Sequence, residues 1–182
     1  MHMKATGIVR RIDDLGRIVV PKEIRRVLRI REGDSMEIFT DTEGEIILKK
    51  YSPIGELGNV AEQYAESISQ ITGRIAIITD KDCVIAIAGS PKKSIKGKKI
   101  SKKLEGILIN REVVKGNGTQ IISIVDNESM EQGEQVICPI ISDGDVIGGV
   151  IVAVKSGDKG ISEVEEKMAI MASNFLGKRM EV

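Results

Sequence analysis

Arginine side chains are concentrated at the N-terminal end of the chain. Seven of the ten arginines lie within residues 1–31, where nine basic side chains meet three acidic ones and give a net charge of +6, although all 182 residues together are neutral. A guanidinium group binds phosphate oxygens through two parallel hydrogen bonds and also reaches guanine edges. Because salt screens distant compensating charges beyond about 10 Å, this local field predicts attraction to a polyanion.

Five short elements position these arginines. Alternating side chains separated by turn residues predict strands, and the turn from Asp13 to Gly16 joins the first two of them. Pro21, followed by apolar side chains at i, i+3 and i+4, predicts a short helix with a basic flank. The predicted order is β-β-α-β-β, with strands at residues 8–12, 17–20, 36–40 and 45–51 and the helix after Pro21.

Elements of this size cannot bury enough apolar surface within one chain to offset its conformational entropy. Neither a disulfide nor a metal site is available to compensate, so association of two copies is the simplest remedy. Two chains that interleave their hairpins form one closed barrel without exposed strand edges. We therefore expect a dimeric, all-β-dominated N-terminal domain that presents every arginine twice.

The same segment closely resembles the AbrB-like swapped-hairpin family of bacterial transcription regulators. The resemblance rests on the run TGIVRRIDDLGRIVVP at residues 6–21, on Glu23 to Arg26 and on Glu45 to Tyr51. It implies a protein that binds double-stranded DNA as a dimer. Phosphate contacts and DNA deformability are expected to dominate recognition, because the helix is short and poor in Asn and Gln. The DNA-facing side chains that the resemblance implies are Arg10, Arg17, Arg25 and Arg26, with Arg11 at a position that is often Lys.

The residues alone leave other interpretations open. Charged runs commonly form a solvated surface, and Asp13, Asp14 and Glu23 lie close enough in sequence to pair with these arginines. An antitoxin of the same barrel fold would also bind DNA, but it would need a disordered tail that wraps a toxin. Residues 56–182 are instead strongly patterned for folding, which favours a regulator.

A second domain is indicated beyond Tyr51 to Gly55. We expect the DNA-binding domain at residues 1–51, a linker at 52–55 and the second domain at 56–182. Apolar spacing predicts a helix at 57–71 and a C-terminal helix that begins at the capping-box sequence Ser162 to Glu165. The predicted order is α-β-β-α-β-β-β-α, with strands near residues 75–79, 84–88, 120–125, 135–141 and 146–154 and the middle helix at 101–109.

This second domain is similar to GAF-like sensor domains. The turn Ser142 to Asp145 joins the last two strands as a hairpin, so we expect an antiparallel sheet with helices over one face. The order of elements, together with Pro139-Ile140 and Gly148-Gly149, carries the resemblance. It implies an α+β fold for oligomerisation and for binding of a small molecule. No pattern identifies that ligand or its binding residues, so the cofactor-binding set stays unknown.

The whole chain is similar to sporulation-stage regulators of endospore-forming bacteria that join an AbrB-like domain to a GAF-like domain. Since each domain can dimerise with a different copy, a homo-tetramer is the expected assembly. Residues 92–103 add seven lysines without an acidic side chain. A solvated loop is the simpler interpretation of these lysines, and an anionic-ligand site or a second DNA contact is the alternative.

Composition gives little support to catalysis or metal binding. His2 is the sole imidazole, and no CxxC or HxxxH spacing occurs, so we expect no metal site, no catalytic residue and no enzymatic activity. Cys83 and Cys138 fall in or beside strand patterns, where a thiol packs as a small apolar group. A GAF-like thiol reductase is the remaining enzymatic alternative, and it requires Cα atoms about 4.4–6.8 Å apart.

The expected location is the cytoplasm, in association with the nucleoid. The longest apolar run, residues 146–154, is less than half of what spans a bilayer, and no hydrophobic signal core follows the first residues. Membrane contact is therefore not expected. Two Tyr, two Phe and no Trp also leave few side chains on which bases could stack.

Overall fold

The computed structural model describes residues 6–90, 95–127 and 132–181. The chain divides into two compact units, residues 1–51 and residues 52–182.

The first unit contains one helix and one hairpin. Helix α1 spans Lys22–Leu28, and the strands β1 (Met36–Thr40) and β2 (Ile46–Lys50) pair antiparallel. Pro21 precedes α1 because its fixed φ suits a helix start, and the helix ends at Arg29 in the left-handed conformation with φ 55°. The turn before β2 is held by Asp41, whose Oδ1 accepts hydrogen bonds from the amides of Glu43 and Glu45.

Two of the four strands predicted for this unit are absent from the single chain. Residues 8–12 and 17–20 are described, and neither forms a strand, although the turn between them is closed by a hydrogen bond from the Asp13 amide to the Arg17 carbonyl. A strand exists only where its amides and carbonyls meet a partner, and within residues 6–51 these two segments have none. The alternating pattern therefore predicts two strands that a single chain does not form by itself.

The first unit has almost no core of its own. Among residues 6–51, Pro21 alone is buried. The large apolar side chains instead face solvent, with Val9 85% and Val19 72% exposed. This lack of burial agrees with the expectation that about fifty residues cannot form a core within one chain.

The second unit is a five-stranded antiparallel sheet with helices on both faces. The strand order is β4-β3-β7-β6-β5, and every neighbouring pair is antiparallel. Its helices are α2 (Pro53–Glu56), α3 (Gly58–Thr72), α4 (Lys102–Ile109) and α5 (Glu163–Lys178), and its strands are β3 (Ile75–Asp80), β4 (Val84–Ala88), β5 (Val114–Gly116), β6 (Gln132–Ser142) and β7 (Asp145–Lys155).

Two separate cores show how the layers pack. On one face α3 and α5 cover the sheet, with side chains such as Ile68 and Leu176 against Ile78 and Val152. On the other face, Leu104 of α4 and Ile124 of an irregular segment pack against strand side chains such as Ile77 and Ile151. The expectation that helices cover one face is therefore wrong, because the middle helix carries its own apolar stripe and needs its own surface.

The strand predicted at residues 120–125 is also wrong. Residues Gly118–Gln120 form a 3-10 turn, residues 121–125 are irregular, and the edge strand β5 lies earlier. Ile124 and Val125 are nevertheless buried, and the Ile124 carbonyl accepts a hydrogen bond from the amide of Ser101. The apolar residues Ile122, Ile124 and Val125 therefore line the second core without joining the sheet.

Residues 52–55, for which the sequence predicts a linker, are part of the second unit. Ser52 caps α2 by accepting a hydrogen bond from the Gly55 amide, and its Oγ donates to Asp80 Oδ2 over 2.8 Å. Ile54 is fully buried among the side chains under α3. The segment is therefore fixed in place by the fold.

Candidate nucleic-acid interface

The turn at residues 13–17 is organised by one carboxylate. Asp13 Oδ1 accepts hydrogen bonds from the amides of Leu15 (3.1 Å) and Arg17 (2.7 Å), while its Oδ2 lies 2.8 Å from Arg17 Nε. Gly16 takes φ 75°, a conformation that residues with a Cβ rarely adopt. The backbone and side-chain hydrogen bonds from Arg17 hold the pKa of Asp13 below its ordinary value, so the carboxylate stays charged.

Arg17 is oriented by this turn and still available to a ligand. The ion pair uses Nε, and the side chain remains 69% exposed. Within the described part of the chain, no group bonds its two terminal amino groups. The sequence interpretation took Asp13 as an ordinary turn residue, and it missed that an Asp four positions before an Arg both shapes the turn and aims the guanidinium.

Arg10 and Arg11 lie on the extended segment that leads into the turn. Both are exposed, and Arg10 Nη1 donates a hydrogen bond only to the neighbouring Val9 carbonyl at 3.1 Å. Extended backbone sends successive side chains in opposite directions, so these two arginines diverge within one chain. Their cooperation on one ligand therefore depends on what pairs with the segment.

Helix α1 carries Arg25 and Arg26 in its last turn, both exposed to solvent. Cations at this end interact favourably with the helix dipole, and Glu23 does the same in the first turn. The αL residue Arg29 ends the helix, and the Ile30 amide donates to the Arg25 carbonyl over 2.8 Å. Backbone geometry thus fixes where the two guanidinium groups emerge.

A carboxylate with little exposure of its side chain links the end of the helix to the hairpin. The Asp34 carboxylate is 5% exposed and lies 3.0 Å from Lys50 Nζ, which also donates to the Arg29 carbonyl at 3.1 Å. Asp34 Oδ2 additionally accepts from the Arg31 amide. The sequence interpretation missed this contact because sixteen positions separate the two side chains. It forms a polar junction between the end of α1 and β2.

The five arginines assigned from the sequence are all exposed, and only Arg17 forms an ion pair with one of the acids considered there, Asp13. The alternative in which acidic neighbours neutralise these arginines therefore holds for Arg17 and not for the other four in the described chain. Among the described residues, no cluster of His, Cys, Asp and Glu has the composition to hold a metal ion. No helix among them is long and apolar enough to cross a membrane.

The two cysteines do not form a redox pair. Cys138 lies on β6 and Cys83 directly before β4, with β7 and β3 between those strands. Strand spacing of about 4.8 Å puts their Cα atoms on the order of 14 Å apart, far beyond the reach of a disulfide. Burial, and secondly the charge of Glu166, raise the pKa of Cys138 to about 12. The thiol-reductase alternative therefore lacks its geometry.

Comparison with known proteins decides the family. Residues 56–181 match the family model described as stage V sporulation protein T C-terminal, transcription factor. The chain is also 48% identical over 179 residues to stage V sporulation protein T of Bacillus subtilis (strain 168), covering 98% of this chain and 99% of that relative. This chain belongs to the stage V sporulation protein T family. It is a sporulation-stage transcription regulator, as the resemblance in sequence implied.

The N-terminal unit of this family member has relatives of its own. Over 53 residues it is 60% identical to the transition state regulatory protein AbrB of Bacillus subtilis (strain 168). The matched region covers 29% of this chain and 54% of that relative. Residues 9–56 also match the model described as antidote-toxin recognition MazE, bacterial antitoxin. The AbrB-like character of the N-terminal domain is thereby confirmed.

Solved structures confirm the GAF-like fold of the second unit in this family member. The GAF domain of an Acinetobacter phosphoenolpyruvate-protein phosphotransferase superposes with a TM-score of 0.57 at 13% identity, covering 72% of this chain and 84% of that one. A methyl-accepting chemotaxis protein fragment gives 0.58 at 15% identity, covering 69% and 91%. Identities this low show the fold alone.

Proposed function

We propose that residues 1–51 form a dimeric DNA-binding domain that holds double-stranded DNA through Arg10, Arg11, Arg17, Arg25 and Arg26. One observation carries the proposal: the unit exposes these guanidinium groups and its apolar side chains together. A polyanion can bind the guanidinium groups, and a second copy of the chain can bury the apolar side chains. The second unit, which begins at Ser52, then serves for oligomerisation and sensing.

The unpaired extended segments support dimerisation. Residues 8–12 and 17–20 present free backbone edges, and Val9, Ile12 and Val19 are each more than half exposed. An exposed strand edge beside exposed apolar side chains is unstable in water. If two chains interleave these segments, both edges pair and both apolar sets become buried, and the diverging side chains of Arg10 and Arg11 are complemented by the partner's copies.

The second unit supports a tetramer through a different surface. Val164, Met171 and Phe175 recur at helical spacing on α5 and remain 67%, 60% and 43% exposed. Phe175 stacks on Tyr64 of α3 with ring centroids 4.9 Å apart, so the exposed stripe extends onto the neighbouring helix. Two such helix pairs fit together as a bundle. Linking two N-terminal dimers in this way raises DNA affinity through effective concentration.

Salt dependence of DNA binding tests the proposal. If about four of these five arginines in each chain contact phosphate, a dimer releases about eight counterions, so a plot of log Kd against log salt is expected to have a slope of about 7 in magnitude. Arg17→Ala removes one contact from each chain and is expected to lower that slope by about 2 and to weaken binding. The matched control is Arg179→Ala, which removes an exposed charge from the second unit. Equal slopes for the two variants would exclude Arg17 from the interface.

A toxin-binding role is the alternative function, and the match of residues 9–56 to an antitoxin family model supports it. The second unit argues against it, because its described residues, 52–90, 95–127 and 132–181, pack around two buried cores and do not form a disordered wrapping tail. We infer a regulator without enzymatic activity that works on the nucleoid in the cytoplasm. Retention of a toxin-like partner by the purified chain, with unchanged DNA affinity for Arg17→Ala, would instead favour the antitoxin.

A sensing role for the second unit is favoured by one buried side chain. Gln135 on β6 is 1% exposed, and among the described residues neither its Oε1 nor its Nε2 has a hydrogen-bond partner. Leaving both polar atoms of a buried carboxamide unsatisfied costs about 1–3 kcal/mol or more. A Cβ on Gly116, directly opposite in register, would lie 2.9 Å from the Gln120 carbonyl oxygen and 3.0 Å from Gln135 Nε2, so the backbone contact makes that position require glycine.

We therefore propose that Gln135 pairs with a small molecule that offers an adjacent donor and acceptor, as amides and nucleobases do. Thermal unfolding with nicotinamide, adenine or uracil at millimolar concentration tests this. At least one probe is expected to raise Tm for the parent and to have no effect on Gln135→Met. The variant itself is expected to be more stable than the parent, whereas the exposed control Gln120→Met changes neither quantity. No shift with any probe would remove the sensing role.

A further inference from the structure

A patch of lysines on the second unit has no role in the interface described above. Residues 95–103 contain Lys96, Lys98, Lys99, Lys102 and Lys103, and no acidic side chain lies among them. The two other lysines of this run, Lys92 and Lys93, lie outside the described residues. We call Lys99, Lys102 and Lys103 the lysine patch, since all three are exposed and no described carboxylate pairs with them.

The backbone under the lysine patch is firmly held. Ile95 and Ile100 are fully buried, the Gly97 amide donates to the Val84 carbonyl at 2.8 Å, and the Ile100 amide donates to the Asp82 carbonyl at the same distance. Lys99 forms a β-bridge with Cys83, next to β4. The sequence allowed a merely solvated loop, whereas residues 95–103 are anchored to the sheet and hold their lysines outward.

Two of these lysines stand at the wrong end of a helix for stability. Ser101 caps α4, with its Oγ accepting from the Leu104 amide, so Lys102 and Lys103 occupy the first turn. The positive end of the helix dipole and the neighbouring Lys99 both repel them, and Glu105 is the one acidic side chain in that turn. Binding of an anion beside Lys102 and Lys103 relieves this repulsion.

The shape of the surface indicates which anion. The three ammonium groups are exposed on the start of α4 and on the segment before it, so they form an open surface array. Lysine is a flexible point charge that contacts phosphates without demanding bidentate geometry. Repeated charges along a nucleic-acid backbone match such an open array, and each contact releases a counterion.

We propose that the lysine patch is a second, sequence-independent contact to the phosphate backbone of DNA, separate from the N-terminal arginines. The inference rests on the proposed function, because it takes the bound polymer to be the DNA that the first unit holds. It assigns to the second unit a share of the DNA affinity in addition to oligomerisation.

The test uses the full chain with three lysines replaced together, K99Q/K102Q/K103Q. The matched control is K155Q/K159Q/K178Q, which removes the same charge from exposed lysines elsewhere on the second unit. Binding to a long duplex is measured by anisotropy between about 50 and 200 mM salt. The patch variant is expected to lower the magnitude of the slope by about 3 for each chain engaged, with affinity at least about fivefold weaker. The control is expected to match the parent.

Thermal unfolding separates lost binding from lost folding. Removing two cations from the start of α4 is expected to leave Tm unchanged or higher, so weaker binding by a stable variant supports the inference. A patch variant that binds like its control overturns it. If Arg17→Ala loses affinity in the same assay while the patch variant does not, the inference fails and the proposed function stands. If neither variant differs from the parent, both fail.

Discussion

Asp13 and Arg17 form a pair in which one carboxylate shapes the turn and aims the guanidinium. Asp13 Oδ1 accepts the amide of Arg17, and Oδ2 lies 2.8 Å from Arg17 Nε. An exposed ion pair of this kind contributes little to stability. Its value is positional, because the terminal amino groups of Arg17 stay available to a phosphate while the stem of the side chain is held.

Arg17→Lys separates charge from geometry. Lysine keeps the positive charge but cannot form the two parallel hydrogen bonds of a guanidinium, nor donate through Nε to Asp13. We expect the slope of log Kd against log salt to stay within about 0.5 of the parent while affinity falls roughly fivefold. Affinity equal to the parent would show that Arg17 acts only as a point charge.

Val19→Asp tests whether the first unit needs a second copy. Val19 is 72% exposed on a segment without a strand partner, and a carboxylate there would be buried without compensation in an interleaved dimer. We expect loss of DNA binding together with loss of the N-terminal dimer, measured by sedimentation. Ile109→Asp, at an exposed position in the second unit, serves as the control and is expected to keep both.

Met171→Glu tests the second interface. A charge in the middle of the exposed stripe on α5 opposes packing of two helix pairs. Light scattering is expected to show dimers where the parent forms tetramers, with DNA affinity reduced and the first unit still paired. Val113→Glu places the same charge at an exposed loop position as the control. A tetramer in the Met171 variant would show that the helices associate elsewhere.

Glu165→Gln is expected to destabilise the second unit by about 1–3 kcal/mol. Glu165 Oε1 lies 2.5 Å from Arg74 Nε, which links the start of α5 to the start of β3, and Oε2 accepts the Ser162 amide in the capping box. Burial raises the pKa of Glu165, but the hydrogen bonds from Arg74 and Ser162 outweigh it and hold that pKa below its ordinary value. Urea unfolding near neutral pH measures the loss.

The pH dependence of that loss has a defined sign. Because the folded pKa is depressed, the stabilisation is fully present above the unfolded value of about 4.3 and disappears as pH falls through the folded pKa. The difference between parent and Glu165→Gln is therefore expected to be constant above about pH 5 and to shrink in more acidic solution. Glu163→Gln, at an exposed i,i+4 pair with Lys167, is expected to cost less than about 0.5 kcal/mol throughout.

Cys138 is expected to resist thiol reagents in the native protein. Its pKa of about 12 leaves almost no thiolate near pH 8, and the side chain is fully buried. In a Cys83→Ser variant, Cys138 is the one remaining thiol. In urea, a disulfide exchange reagent is expected to label it no faster than the protein unfolds. Rapid native labelling would show that the sheet opens around β6.

Local patterns predicted most of the second unit because its elements satisfy themselves within one chain. The hairpin of β6 and β7 follows from the turn at 142–145, and α5 follows from its capping box. Two predictions failed because the local sequence does not contain the deciding information. Residues 8–12 and 17–20 have no strand partner within one chain, and the apolar residues of 121–125 cover a core without pairing in the sheet. The candidate arginines came from sequence, whereas the pairing of Asp34 with Lys50 required the fold.

The scarcity of buried side chains in residues 6–51 has a consequence for gene control. If the DNA-competent form exists only as paired chains, its abundance at low expression varies with the square of the number of molecules in the cell. Halving synthesis would then leave about a quarter of the active form. Promoter occupancy would then respond steeply to production and dilution of the protein.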